Sequence, residues 1–515
     1  MAGSSSVTVP GTGGTPVRVA FGTGDVLHLA SKIGSLLAGF NAASPSTLTI
    51  TSDTGIGPIP AAPVVSAPTV NEVYLNGPGG LDQPIPSGYQ YVIDNDTAPD
   101  TLSGANINLI TGSPGGSYSV SGTSTIAASG GNSTITATGN YLISGGAADN
   151  VFIVDGSGTV ATGSGNSTIT AAGSNDVLSL GSGSAIVTLG ASASTLFGGT
   201  GPLQLDATGT GDAIGLSTGM AAITLGGSGN TIFANSAPVQ ITEDGSNNAI
   251  GGYTGPLSIY STGSNTSIYG TSGPISADME GSNALVGLTS GPANITLSGS
   301  GATLYGGSAN LDLLAIGSGS DTIGLSSGIS SVNASGSTNL QIFQGAGLLD
   351  FVGGAGNSTV YSAGNSSLFG GASGVINYAG QGTVFGVYQA GAGNETLNAA
   401  KSYGAVLASG SSLSGSSDQL IGGLGNDTLV GGVGTTTLTG GAGQNVFEFT
   451  KVLGGGSATV TDFTSSDSVV LQGYGGTVPT PTASGSNTIL SLSDGTKITF
   501  LNVSTSALTG HITSI

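Results

Sequence analysis

Aliphatic residues return every 18 positions along this chain, and that spacing limits what it can fold into more than any other feature. One column reads Leu178, Leu196, Ile214, Ile232, Ile250, Ile268, Val286 and Leu304. A second, nine residues out of phase, reads Ile169, Val187, Leu205, Ile223, Ile241, Ile259, Ala277, Ile295 and Leu313. A helix needs apolar residues at a 3.6-residue period and an isolated strand at a period of two, and neither gives a repeat this long. Two short strands per 18-residue coil do, if each sends its aliphatic side chain inward and coils stack like on like. The expected fold is therefore all-β, an elongated parallel β-solenoid or β-roll with a thin core between two ladders.

The residues between the columns suit tight turns. Gly227-Ser228-Gly229-Asn230 and Gly263-Ser264-Asn265 supply positive φ or side-chain bonds to the backbone. Pro202, Pro238, Pro256, Pro274 and Pro292 open successive coils, where a missing N–H is tolerated. Phe197, Phe233, Tyr269 and Tyr305 recur every 36 residues, with Gly215, Gly251 and Gly287 in the coils between. Large side chains alternating with small ones suit stacked layers; a sugar-binding aromatic row is the alternative. The array runs from Asn132 to Glu448, on the order of 80 Å of stacked coils at a strand spacing of ~4.8 Å. Its register slips by one residue near Leu313 to Ile323 and is less even after Ile329.

Composition fits this picture and removes several functions. The 515 residues include 96 Gly without a collagen period, and only 6% are charged. Twenty-six acids face five bases, and no Lys or Arg lies between Ile33 and Ala400. A basic phosphate-binding stripe is thereby excluded over most of the chain, so nucleic acid is not an expected partner. Cysteine is absent, which leaves no disulfide and no thiolate metal site. No run of ~18 apolar residues suggests a transmembrane segment, and Met1-Ala2-Gly3-Ser4-Ser5-Ser6 does not read as a signal peptide. The only histidines are His28 and His511. Gly215-Leu216-Ser217-Thr218-Gly219 and Gly324-Leu325-Ser326-Ser327-Gly328 match a nucleophile-elbow pattern but sit inside the repeat, without the strand-to-helix setting it requires. No enzyme activity is expected.

Near the C-terminus the repeat takes a more specific form. Gly422-Gly423-Leu424-Gly425-Asn426-Asp427-Thr428-Leu429-Val430 is preceded by LSGSSDQLI (413–421) and followed by GGVGTTTLT (431–439) and GGAGQNVFE (440–448). These nonapeptides resemble the glycine- and aspartate-rich repeat of RTX proteins. The stretch from Ala458-Thr459-Val460-Thr461-Asp462-Phe463 to Asp467-Ser468-Val469-Val470-Leu471 resembles the segment that closes the β-roll of serralysin-type proteins, without their protease domain. The resemblance implies Ca²⁺ bound in turns between coils, by backbone carbonyls and the motif aspartate, and export by a type I system reading the C-terminus. Carried onto this chain, the metal positions are Gly415, Asp418, Gly423, Gly425, Asp427, Gly432, Gly434 and Asn445, with Asp321 an isolated upstream survivor. Sites shared by turns 18 residues apart would pair Asp427 with Asn445 and Asp418 with Thr436. Hard oxygen donors and one carboxylate per site suit Ca²⁺; an ordinary Asx-turn is the other reading of these aspartates. Upstream the equivalent position reads Asp176, Ser194, Asp212, Asn230, Asn248, Thr266, Ala284 and Ala302, so the central coils are expected to stack without metal.

Four segments follow: a β-rich head over residues 1–100, a glycine-rich solenoid over 101–412, an RTX-type calcium β-roll over 413–448, and a C-terminal cap with export signal over 449–515. In the head, Asp25 is placed to cap a helix whose Val26, Leu29, Ile33, Leu36, Leu37 and Phe40 share one face,. Strands are expected at Thr47–Ser52, Asn71–Leu75 and Gln90–Ile93. Solenoid ends carry unpaired strand edges, which must be capped or will pair with another molecule. Together these features predict an extracellular or cell-surface structural protein that self-associates into a filament, layer or matrix. A calcium-dependent carbohydrate adhesin is the alternative, with lipopolysaccharide or extracellular polysaccharide as its partner.

Overall fold

A computed structural model describes residues 5–11, 15–21, 25–54, 57–112, 115–128, 131–252, 254–270 and 272–515. The chain is nearly all-β, with about 5% helix, and winds as a parallel β-solenoid of about 23 turns at about 18 residues per turn. It forms two compact units, residues 1–258 and 259–515.

In the first unit, β1 (Ser5–Pro10) and β2 (Pro16–Phe21) make an antiparallel hairpin, followed by α1 (Asp25–Ala42). The capping role expected of Asp25 falls on a side chain outside the described set. The buried face of α1 is Val26, Ala30, Ile33 and Leu37, whereas Leu36 is 48% exposed. Gly34 permits the close approach of β1: a Cβ there would stand 2.8 Å from Val7 Cγ1, so β1 packs directly on that strip.

The solenoid begins earlier than the 18-residue repeat suggests. Strands β3 (Leu48–Asp53), β4 (Val70–Leu75), β6 (Tyr91–Asp94) and β8 (Asn108–Thr111) are already stacked in parallel. They alternate with β5 (Asp82–Pro84) and β7 (Asp100–Ala105) on the other side of each coil. Helix α1 lies on the outer face of the first sheet, where its apolar strip joins Leu48, Tyr74, Tyr91, Ile93 and Ile110 in one cluster.

Regular coils follow. Five-residue strands such as Ala185–Leu189 and Leu203–Ala207 turn alternate side chains inward. Three-residue strands such as Thr195–Phe197 bury only the central one. Both sequence columns are core: Leu178, Leu196, Ile214, Ile232 and Ile250 are fully buried, and Ile169 through Ile241 are 1–3% exposed. The residue after each of Pro202 and Pro238 begins a five-residue strand.

The second unit repeats the plan with Ile268, Val286 and Leu304 in one column and Ala277, Ile295 and Leu313 in the other. The inserted residue appears as the pairing of Leu304 with Ile323. At its C-terminal end the parallel ladder gives way to antiparallel strands Thr482–Ser484, Asn487–Ser491 and Lys497–Phe500. Phe463 packs between Phe447, Phe500 and His511, with ring centroids 5.5–6.2 Å apart, and closes the core there.

Candidate metal centres

The tightest gathering of charge is one corner of the first unit. Asp94 ends β6 and Asp100 begins β7, and Asp96 lies in the turn between them. Alternation puts Asp94 on the same inward row as the fully buried Val92,. One oxygen from each of Asp94, Asp96 and Asp100 lies within 4.8 Å of the others, and all three residues are buried.

Each carboxylate is anchored by a donor. The Leu81 N–H donates to Asp100 Oδ1 at 2.8 Å, and the Gly77 N–H donates to Asp96 Oδ1. The Asp96 N–H donates to Asp94 Oδ1 at 3.2 Å. The hydroxyl of Tyr118 donates to Asp94 Oδ2 at 2.9 Å and stands 2.8 Å from Thr111 Oγ1. Asp96 Oδ2 and Asp100 Oδ2 are buried and receive no donor from outside the cluster, so that only a proton shared among the carboxyls themselves could bond them. Burial pushes the Asp94 and Asp96 carboxyls up to about 6, with neighbouring carboxylates adding to it, and raises Asp100 too. The sequence reading missed this site; its signal is the run Asp94-Asn95-Asp96-Thr97-Ala98-Pro99-Asp100 directly after a strand.

The residues matched to the calcium motif lie in the second unit. Asp418 and Thr436 face each other in register, and the Asp427 N–H donates to Asn445 Oδ1 at 3.0 Å. These side chains point inward rather than into open turns: Asp418, Asp427 and Asn445 are at most 3% exposed. Asp427 accepts the Val406 N–H at Oδ1 and the Gly423 N–H at Oδ2, the pattern of a hydrogen-bonded turn, and has no oxygen left without a donor. Asp418 differs. Its Oδ2 accepts from Ser411 N–H and the Ser416 hydroxyl, while Oδ1 has no hydrogen bond of ordinary geometry and the Glu395 backbone N–H is the one further donor near the carboxylate.

Opposite Asp418 in the preceding coil stands Glu395, since Thr396 pairs with Gln419. Glu395 is 4% exposed; its Oε2 accepts from Tyr388 and Gly391, and its Oε1 accepts nothing. Burial raises both carboxyls; the Asp418 charge raises Glu395 further, whereas backbone donors, the Glu395 N–H among them, offset part of the rise at Asp418. Two facing buried carboxyls, each with an unpartnered oxygen, are a donor set suited to a hard cation. Of the motif glycines, Gly415 takes positive φ and the Gly432 N–H donates to Thr436 Oγ1. Gly423, Gly425 and Gly434 lie against the backbone of the preceding coil, where no side chain fits. Asp321 accepts the Ala302 N–H at Oδ1, and its Oδ2 is buried without a partner.

The equivalent upstream positions form a hydrogen-bonded stack. The backbone N–H of Asp176, Ser194, Asp212 and Asn230 each donates to the side chain 18 residues on, at 2.7–3.1 Å. The amide Nδ2 of Asn230 and Asn248 donates back to Gly209 and Gly227 carbonyls.

The aromatics of the 36-residue pattern point outward, with Phe197 and Phe233 in the first unit and Tyr269 and Tyr305 in the second 50–59% exposed. Phe233, Tyr269 and Tyr305 lean over Gly251, Gly287 and Gly324 of the next coil, so the alternation with glycine makes room on the outer surface rather than in the core. No protein-family model matches the chain, and no curated protein matches it. Among the described residues no helix is long and apolar enough to cross a membrane.

Proposed function

We propose that this chain is an extracellular structural protein that associates with copies of itself into a surface layer, filament or matrix, with calcium holding its C-terminal coils. The observation that carries association is β3, which is paired only with β4 among the described residues. A parallel strand with one unpaired edge is a template for another chain. Calcium is supported by the RTX-like nonapeptides and by the facing carboxyls of Glu395 and Asp418. Bound there, Ca²⁺ would supply the charge that five bases in 515 residues cannot. The same resemblance supports export by a type I system, and the reading assigns the chain no reaction.

Sedimentation velocity of the full chain in millimolar calcium and in EGTA tests this. Larger species are expected in calcium, and smaller ones for wild type in EGTA or for Asp418→Asn in calcium. Identical boundaries under all three conditions would contradict it. A second reading, a carbohydrate adhesin, is favoured by the outward rings, whose exposed faces suit sugar stacking. A chain that stays monomeric in calcium yet binds a glycan array would select it.

A further inference from the structure

We propose that Asp94, Asp96 and Asp100 form a divalent-cation site in the first coils, separate from the calcium expected at the C-terminal coils. The cluster alone would not require an ion. What points to one is the state of its oxygens. Asp96 and Asp100 are 4% and 1% exposed, yet each has one carboxylate oxygen that no donor outside the cluster reaches, within a group whose ligand oxygens lie inside 4.8 Å of one another. Carboxylates removed from water need a compensating charge or donor.

The chain offers little else there. No Lys, Arg or His lies between residues 33 and 400, and Lys32 and His28 are exposed on α1. The donors that do reach the corner hold the carboxylates from outside. Gly77 and Leu81 belong to the preceding coil, and Tyr118 to the following one. Three coils therefore fix the orientation of the acids and leave one oxygen each of Asp96 and Asp100 without an outside donor. Supporting bonds that orient ligands in this way characterise metal sites, and an all-oxygen, multiply anionic donor set favours Ca²⁺ or Mg²⁺ over softer ions. The site would clamp consecutive coils at this corner.

Terbium is a suitable probe, because a bound lanthanide beside Tyr118 is excited through the phenol and the chain has no Trp. Full-length wild type, Asp96→Asn, Asp418→Asn and the double variant are titrated with Tb³⁺ and then with competing Ca²⁺ or Mg²⁺. Each single variant should lose part of the sensitised emission, and the double variant nearly all of it. Emission unchanged in Asp96→Asn but abolished in Asp418→Asn would overturn the N-terminal site and leave the C-terminal calcium reading standing; the reverse pattern would do the opposite. If Asp96→Asn fails to fold, hydrogen exchange on the wild type decides. Amides 77 and 81 should exchange at least ~10-fold more slowly in calcium than in EDTA, by analogy with the cost of disturbing a metal's supporting shell. Equal exchange would refute the proposal.

Discussion

Asp212 occupies a position where the next two coils carry asparagine. A Cβ on Gly209 would lie 1.5 Å from the Ala191 carbonyl oxygen and 2.7 Å from Asp212 Oδ2. In the next two coils the atom in that place is the Nδ2 of Asn230 or Asn248, 2.9 Å from the equivalent point. An amide donates to the carbonyl; a carboxylate must be protonated to do so, and Asp212 Oδ2 has no partner. Burial accordingly raises the Asp212 carboxyl. Asp212→Asn should stabilise the protein at pH 7 by about 1 kcal/mol, one hydrogen bond's worth, seen as a higher midpoint in thermal circular dichroism in EDTA. A lower midpoint would refute the assignment. Glu72 is the larger effect. It shares the outer face of β4 with Val70 and Tyr74, beneath α1, is fully buried, and neither carboxyl oxygen has a partner. Burial pushes it up to about 8. The folded state thus keeps a proton that the unfolded chain releases above its ordinary value of 4.5. Stability is full below that value and falls by about 1.4 kcal/mol per pH unit until the folded carboxyl ionises near 8. Glu72→Gln should remove this slope, so the variant gains on wild type between pH 5 and 8; parallel melting curves would contradict it.

At the scale of the coil, one backbone position repeats with positive φ: Asn175, Ala193, Gly211, Gly229 and Asn247 in the first unit, Asn265, Asn283 and Gly301 in the second. Asparagine and glycine tolerate that conformation, and alanine at φ 56° does not,. Ala193→Asn should therefore stabilise by about 1 kcal/mol, measured by denaturant unfolding, and a neutral or negative change would show that the coil relaxes instead. The same repeat explains what was legible in the sequence. Leu178 to Ile250 could be read because each inward residue lies 18 positions from the last. The first coils could not, because their pairs run at other spacings: Val73 with Val92, Leu109 with Ile126, Ile126 with Ile143. After Val332 the partners Phe351, Leu368 and Tyr388 drift again. At the motif aspartates, sequence gave the neighbours but not the direction of the side chains. Asp418 and Asp427 follow equivalent turns, yet only the former keeps an oxygen without an ordinary hydrogen bond, and the residue opposite it is Glu395, in a coil outside the motif. The acidic corner escaped because Asp94 and Asp100 belong to two strands whose junction carries no glycine signal.

Within each of the two units, each coil contacts its neighbours through backbone ladders and a thin aliphatic column. Stability is then a sum of coil and interface contributions, and damage stays local. Leu196→Ala removes a fully buried side chain and should cost about 2–5 kcal/mol, with hydrogen exchange rising in the flanking coils first; uniform loss of protection would indicate a single cooperative unit. The proposed structural role rests on the unpaired edge of β3 and on the calcium proposed for the C-terminal coils, and both bear on one observable. Electron microscopy of the purified full-length chain, with millimolar calcium and then with EGTA, tests it most directly. The account predicts ordered filaments or sheets in calcium that disperse in EGTA. Single, unassociated particles under both conditions would contradict it.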